Sequence, residues 1–197
     1  MRYYPHILAL LIFILFIITG INPASTEVWI VEIFPVFIVF FALVFSYFKF
    51  KFSNTAYSLM SVWIILHTIG AHYTFANVPF EYITNLFDFQ RNHFDRIAHF
   101  SIGFYAYAMA EFLVKKEYSK DIVASFFGLF FIMSVACGYE IIEWWFAVIV
   151  GGDVGVEFLG SQGDVWDAQK DMLADTIGAV VALCLFQIQI YLKKVKK

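Results

Sequence analysis

"GDVWDAQKDMLADTIGAVVALCLFQIQIYLKK", residues 163–194, reads from one edge of a membrane to the other. It opens with Asp164, Asp167, Asp171 and Asp175, passes into a long apolar run, and closes on Lys193 and Lys194. Residues three and four apart share one face of a helix. If the helix starts early, the four carboxylates form one acidic stripe about three turns long. The stripe enters the apolar stretch instead of stopping short of it. A carboxylate near the bilayer centre costs about 2.5–3.5 kcal/mol, and stacked like charges also repel. Something has to neutralise this face: a metal ion, bound protons, Arg96, or water in a cavity open to the outside.

The rest of the chain agrees with a membrane setting. Of its 197 residues 61% are hydrophobic, 21% are aromatic (25 of them Phe), and only 15% are charged. Mean hydropathy is +0.76. A soluble fold of this size has no core large enough to hide so much apolar surface. The expected fold class is therefore all-α, a polytopic bundle with lipid as solvent for its apolar side chains. A transmembrane barrel needs strict alternation of apolar and polar residues, which is absent. A net charge of −3 with no basic patch gives no footprint for nucleic acid. Cys137 and Cys184 lie inside apolar segments, away from any CxxC pattern, and are expected as packing filler.

Six apolar stretches, at about 4–21, 28–48, 55–75, 94–114, 122–150 and 172–192, approach or exceed the length of a membrane-spanning helix. The first follows Arg2 and precedes "PAST" (23–26), like a signal peptide, and is read as a retained helix. Pro35 predicts a kink in the second. With six spans in one integral domain, Arg2, Lys49, Lys51, Lys115, Lys116, Lys120, Lys193, Lys194, Lys196 and Lys197 fall on the side of the termini. Only Arg91, Arg96 and Lys170 fall opposite. By the positive-inside rule both termini are cytoplasmic, in a multi-pass protein of the cell (inner) membrane. The two longest connections, about 76–93 and 151–171, both face outward, and their length hints at function.

Orientation makes the sequence a depth ruler, at about 1.5 Å per residue. Counted from the cytoplasmic boundary, His67 lies roughly 17 Å up and His72 roughly 24 Å. On the fourth helix His99 lies about 22 Å up and Asp95 about 28 Å. Glu140 and Glu143 lie about 27 and 32 Å up, and Asp175 and Asp171 about 26 and 32 Å. Four helices thus deliver ionisable groups to the outer third of a hydrocarbon core about 30 Å thick.

Intramembrane ionisable residues of this kind are expected to be functional, against the plainer reading of a network that only ties helices together. The candidate metal ligands are His72, Asp95, His99, Glu140, Glu143, Asp164, Asp167, Asp171 and Asp175. Carboxylates with imidazole suit Zn²⁺, Mn²⁺ or Fe²⁺, and carboxylates alone suit Mg²⁺ or Ca²⁺. His67 lies about 140° around the helix from His72 and is expected as a hydrogen-bonding interior residue. Glu32 and Glu111 are expected to snorkel to an interface, and Trp29, Trp144 and Trp145 to form an aromatic belt. The leading expectation is metal-assisted hydrolysis or group transfer on a membrane lipid or lipid-linked envelope substrate, with Glu140, Glu143, His99 and Asp95 in the catalytic set. The alternatives are a proton- or cation-coupled transporter and a non-catalytic envelope factor with a structural ion site. The sequence leaves the oligomeric state open.

"HTIGAHYTF" (67–75), "HFDRIAHF" (93–100), "YEIIEWW" (139–145) and "GSQGDVWDAQKDMLADTIGA" (160–179) together resemble the YjdF-like family of bacterial inner-membrane proteins. The resemblance runs from about residue 60 to 180 and implies fold and location; the family brings no established activity. A more distant likeness is to VanZ-like membrane proteins of the cell envelope. Their pattern is matched by Asp95, Arg96, His99 and Phe100, by Glu140 with Glu143, and by Asp171 with Gly178. Asp175 stands where that pattern carries Asn, which makes this site more acidic and favours a cation.

Overall fold

The apolar runs fold into helices whose ends are set by small capping side chains and by lysines. The computed structural model describes residues 3–195, and among these there are nine α-helices, one 3₁₀ turn and no strand. They are α1 (Tyr4–Thr19), α2 (Thr26–Ser46), α3 (Asn54–Tyr73), α4 (Glu81–Leu86), α5 (Phe94–Ile102), α6 (Tyr105–Lys115), α7 (Asp121–Val150), α8 (Gly152–Leu159) and α9 (Asp167–Val195). The 3₁₀ turn is Phe75–Asn77. Ser25 and Ser53 cap α2 and α3 by accepting from the backbone N–H groups of Val28 and Ala56. Helix α2 runs through Pro35 without a break.

Large apolar side chains such as Leu10, Phe34, Phe45, Phe130 and Ile149 cover the outside. Such a surface is stable only in lipid. Four helical stretches are long and apolar enough to cross a membrane: Thr26–Ser46, Phe94–Lys115, Asp121–Val150 and Asp167–Val195. The other two expected spans fall short for different reasons. Helix α1 is apolar but has only 16 residues, and α3 has 20 but carries Ser58, Ser61, His67, Thr68 and His72.

Hydrogen bonds at each end show that the long helices alternate in direction. Ala24 N–H donates to the His72 carbonyl at 2.9 Å, tying the α1–α2 turn to the end of α3. At the same end, Asn92 and Gln162 exchange two bonds of 2.9 Å between the two longest connections. At the opposite end Glu111 accepts from Ser53 N–H at 2.6 Å and from the Ser53 hydroxyl, and Lys194 reaches Asp121 at 2.9 Å.

Small residues set the packing. One core gathers Met60, Ala106, Ala110, Ile132, Ala182 and Phe186 between α3, α6, α7 and α9. A second joins α1, α2 and α3 through Phe16, Phe40 and Trp63. The expected fourth span is two helices. Between α5 and α6 the backbone tightens, with Phe104 N–H donating to Ser101, Ala106 to Gly103 and Tyr107 to Phe104, all three residues back. Gly103 lies at this tightening, and a Cβ there would overlap the α9 backbone at Asp175 and Ala179.

Some sequence expectations need correction. Glu111 is buried, 5% exposed, and held by Ser53 and Lys115 at 2.6 Å, so it does not snorkel. Cys137 and Cys184 are exposed on the bundle surface and do not fill an interface. Trp144 and Trp145, near the C-terminal end of α7, are more than half exposed. Arg2, Lys196 and Lys197 lie outside the described residues.

Candidate functional site

The site exists because two glycines let two helices touch. A Cβ on Gly178 would overlap the Phe100 carbonyl, and one on Gly103 would overlap α9 in return. At this spacing one turn of α5 faces one turn of α9. Asp95 and His99, at i and i+4, therefore look onto Asp171 and Asp175, also at i and i+4. His99 Nδ1 lies 3.3 Å from Asp175 Oδ2, and His99 Nε2 lies 3.7 Å from Asp95 Oδ1. One ligand atom each from Asp95, His99 and Asp171 fall within 4.8 Å of one another.

This constellation is under-satisfied. Among the described residues, Asp175 Oδ1 and Glu140 Oε1 are buried without a partner, and Asp171 Oδ1 has no aligned hydrogen bond, only the Arg96 ion pair. Asp171 and Asp175 are 3% and 1% exposed. Buried carboxylate oxygens without donors are costly. A hard or borderline cation could supply the missing positive charge here, since one imidazole among carboxylates is a donor set that could hold Zn²⁺ or Mn²⁺.

The outer part of the acidic stripe is spent differently. Helix α9 begins at Asp167, and Asp164 sits in the turn before it, accepting from Trp166 N–H at 3.1 Å. Arg91 and Arg96 each reach Asp167 Oδ1 at 2.5 Å, and Arg96 also donates to Asp164 at 3.1 Å. Lys170 holds Asp164 at 2.7 Å. Lys170 above all, then the Trp166 N–H and Arg96, keep the Asp164 carboxyl well below the usual carboxylate range. Burial first, then Arg91 and Arg96, lowers the pKa of His93 just before α5. Asp164 and Asp167 were expected as metal ligands; they are instead the acidic half of an arginine clamp. Asp171 belongs to both halves, because Arg96 Nε stands 2.7 Å from its Oδ1 as an ion pair without hydrogen-bond alignment.

Inward of the clamp lies a cavity of about 30 Å³, which holds about one or two waters or an ion. Asp95, His99, Glu143 and Asp175 line one side. Glu32, His67 and Tyr139 line the other, and α8 roofs it with Phe158, Leu159 and Gly160. Phe158 is held there by the Phe146 ring, 4.3 Å away between centroids. The long 151–171 connection thus contributes a wall of the cavity.

Several expected positions change. His72 leaves the cluster: its Nδ1 donates to the Thr19 carbonyl at 2.8 Å, toward α1. His67 lines the cavity in its place, because it continues the buried face of α3 through Met60, Ile64, Thr68 and Ala71, and His72 is off that face. Glu32 does not snorkel; it is 2% exposed, accepting from His67 at 3.0 Å and from the Tyr139 hydroxyl at 3.1 Å. Glu140 points one oxygen into the buried layer without lining the cavity, whereas Glu143 lines it.

A membrane fold is what the relatives lead one to expect. The chain is 31% identical over 178 residues, 89% of its length and 85% of the relative's, to the inner membrane protein YjdF of Escherichia coli (strain K12). No solved structure matches. The family of predicted membrane proteins known as DUF2238 matches over residues 4–191. The chain is thus a multi-pass membrane protein that belongs to the DUF2238 family, to which its likeness to YjdF also points.

Proposed function

We propose that this protein crosses the membrane six times with both termini in the cytoplasm, and that α5 and α9 build a divalent-cation centre near the external lipid–water border. Asp95, His99 and Asp171 are the primary ligands, with Asp175, Glu140 and Glu143 completing or flanking the coordination. The topology rests on charge. Lys49, Lys51, Lys115, Lys116, Lys120, Lys193 and Lys194 cluster at one end, and at the other Arg91, Arg96 and Lys170 are each paired with carboxylates of the stripe.

The observation that carries the cation reading is the convergence of buried carboxylates around one histidine, with Asp175 Oδ1 and Glu140 Oε1 lacking a partner among the described residues and Asp171 Oδ1 met only by the unaligned Arg96 Nε. A purely structural network would have spent those oxygens on donors, as the arginine clamp does. Zn²⁺ or Mn²⁺ fits the donor set best, and Mg²⁺ fits the carboxylates. The chemistry such an ion supplies is Lewis-acid polarisation of a phosphoryl or carbonyl oxygen and activation of water. The substrate that reaches this depth is a membrane lipid or lipid-linked envelope molecule. A transport path is disfavoured by the apolar layer of Met60, Ala106, Ile132 and Ala182, which seals the bundle on the cytoplasmic side of the cavity.

The test is product analysis. Purified protein in liposomes of bacterial lipid extract, supplied with Zn²⁺ or Mn²⁺, should convert a lipid species that Asp171→Asn and His99→Ala leave intact. Bound metal without any lipid turnover would leave a structural ion site.

A further inference from the structure

The cavity has a second polar wall with its own chemistry. Glu32 from α2, His67 from α3 and Tyr139 from α7 meet in the interior, and His67 is 5% exposed. His67 Nε2 lies 3.0 Å from Glu32 Oε2 and 3.2 Å from the Glu32 carbonyl. Both atoms only accept, so Nε2 carries the hydrogen. The Tyr139 hydroxyl donates to the same Glu32 oxygen at 3.1 Å. Trp63 and Phe75 fix the ring, at centroid distances of 5.1 and 5.0 Å. With Nε2 committed, the lone pair is on Nδ1. His67 lines the cavity, and among the described residues its ring is hydrogen-bonded only through Nε2.

We infer that Glu32 and His67 form an oriented base that offers Nδ1 to the same cavity as the cation centre. Glu32 is the positioning residue: it selects the tautomer and stabilises the imidazolium once a proton arrives, the service carboxylates give histidines elsewhere. A cavity of about 30 Å³ lets one water touch both walls. The role rests on the cation reading above. If Asp95, His99 and Asp171 held a divalent ion, it would acidify a water in this cavity, and Nδ1 of His67 would take that water's proton and leave hydroxide as the nucleophile. That hydroxide would add to the phosphoryl or carbonyl centre of a lipid, the bond to the leaving oxygen would break, and His67 would return the proton from Nδ1 to that oxygen. The titratable groups that line this cavity with His67 are Glu32, Asp95, His99, Tyr139, Glu143 and Asp175.

The experiment is ¹⁵N NMR of histidine-labelled full-length protein in detergent at neutral pH, with assignment by His67→Gln, alongside zinc titration by calorimetry. His67 should be neutral, protonated on Nε2 and bare on Nδ1, and Glu32→Leu should convert it to a mixture of tautomers. His67→Gln should change zinc affinity by less than about threefold. Asp171→Asn should weaken it by about 100-fold or more, at least the loss that outer-shell partners cause. An imidazolium on the metal-free protein, or hydrogen on Nδ1, overturns the oriented base, and so does loss of zinc in His67→Gln, which would make His67 a ligand. Failure of wild-type protein to bind zinc, with the Nε2–H tautomer intact, removes the cation centre while upholding the dyad.

Discussion

Gly178 on α9 and Phe100 on α5 approach so closely that a Cβ on the glycine would overlap the Phe100 carbonyl oxygen. Every distance across the cation centre follows from that approach. Gly178→Ala should therefore push α5 and α9 apart at a cost of about 1–3 kcal/mol, as overpacking does. Gly138→Ala is the control. Nothing lies within 4 Å of a Cβ there, and alanine should gain up to about 1 kcal/mol of helix propensity. Thermal unfolding in detergent reads both.

Arg96 is the keystone of the outer clamp, touching Asp164, Asp167 and Asp171. Arg96→Gln leaves buried carboxylates uncompensated and should destabilise the protein by about 3 kcal/mol. Adding Asp171→Asn should restore most of that loss, because Asp167 keeps Arg91 and Asp164 keeps Lys170, whereas Asp171 pairs with no other Arg or Lys among the described residues. Arg96→Lys keeps the charge but lacks the planar fork, so it should recover only part. Thermal melts of the three variants separate these cases.

Acid should release the clamp through Asp164. Its folded pKa lies below its unfolded value, so its contribution is full above the unfolded pKa and fades as pH falls through the folded one. The destabilisation caused by Asp164→Asn should thus be constant from about pH 8 to about pH 5 and vanish well below about pH 4. A loss of the difference near pH 6 would show that another group controls this end.

The membrane class and the polar layer were legible because period and depth are sequence properties. Spacing alone puts Asp95 with His99, and Asp171 with Asp175, on one face of each helix; that the two faces meet follows from the close approach at Gly103 and Gly178. The arginine clamp was only half legible: Arg96 was a named neutraliser, but the reach of Arg91 across the 160–167 turn depends on loop geometry that no period encodes. The second wall was readable and missed. Counted back from Phe48, Glu32 lies about 24 Å above the cytoplasmic boundary, level with the rest of the layer. The choice of His72 over His67 used depth without azimuth, although the run Met60, Ile64, His67, Ala71 marks the buried face of α3.

Topology is open to direct labelling. With Cys137 and Cys184 replaced by alanine, a cysteine at Asp88, exposed in the α4–α5 connection, should react with an impermeant maleimide in spheroplasts. A cysteine at Tyr118, exposed between α6 and α7, should react only after lysis. The reverse pattern would invert the protein and place the cation centre on the cytoplasmic side.

The most direct measurement is the metal content of protein purified without chelator, by elemental mass spectrometry, compared between wild type and Asp171→Asn. One equivalent of a divalent ion in wild type, absent from the folded variant, is the expected result. Wild-type protein that carries no ion and takes up neither zinc nor manganese on titration would contradict the cation centre.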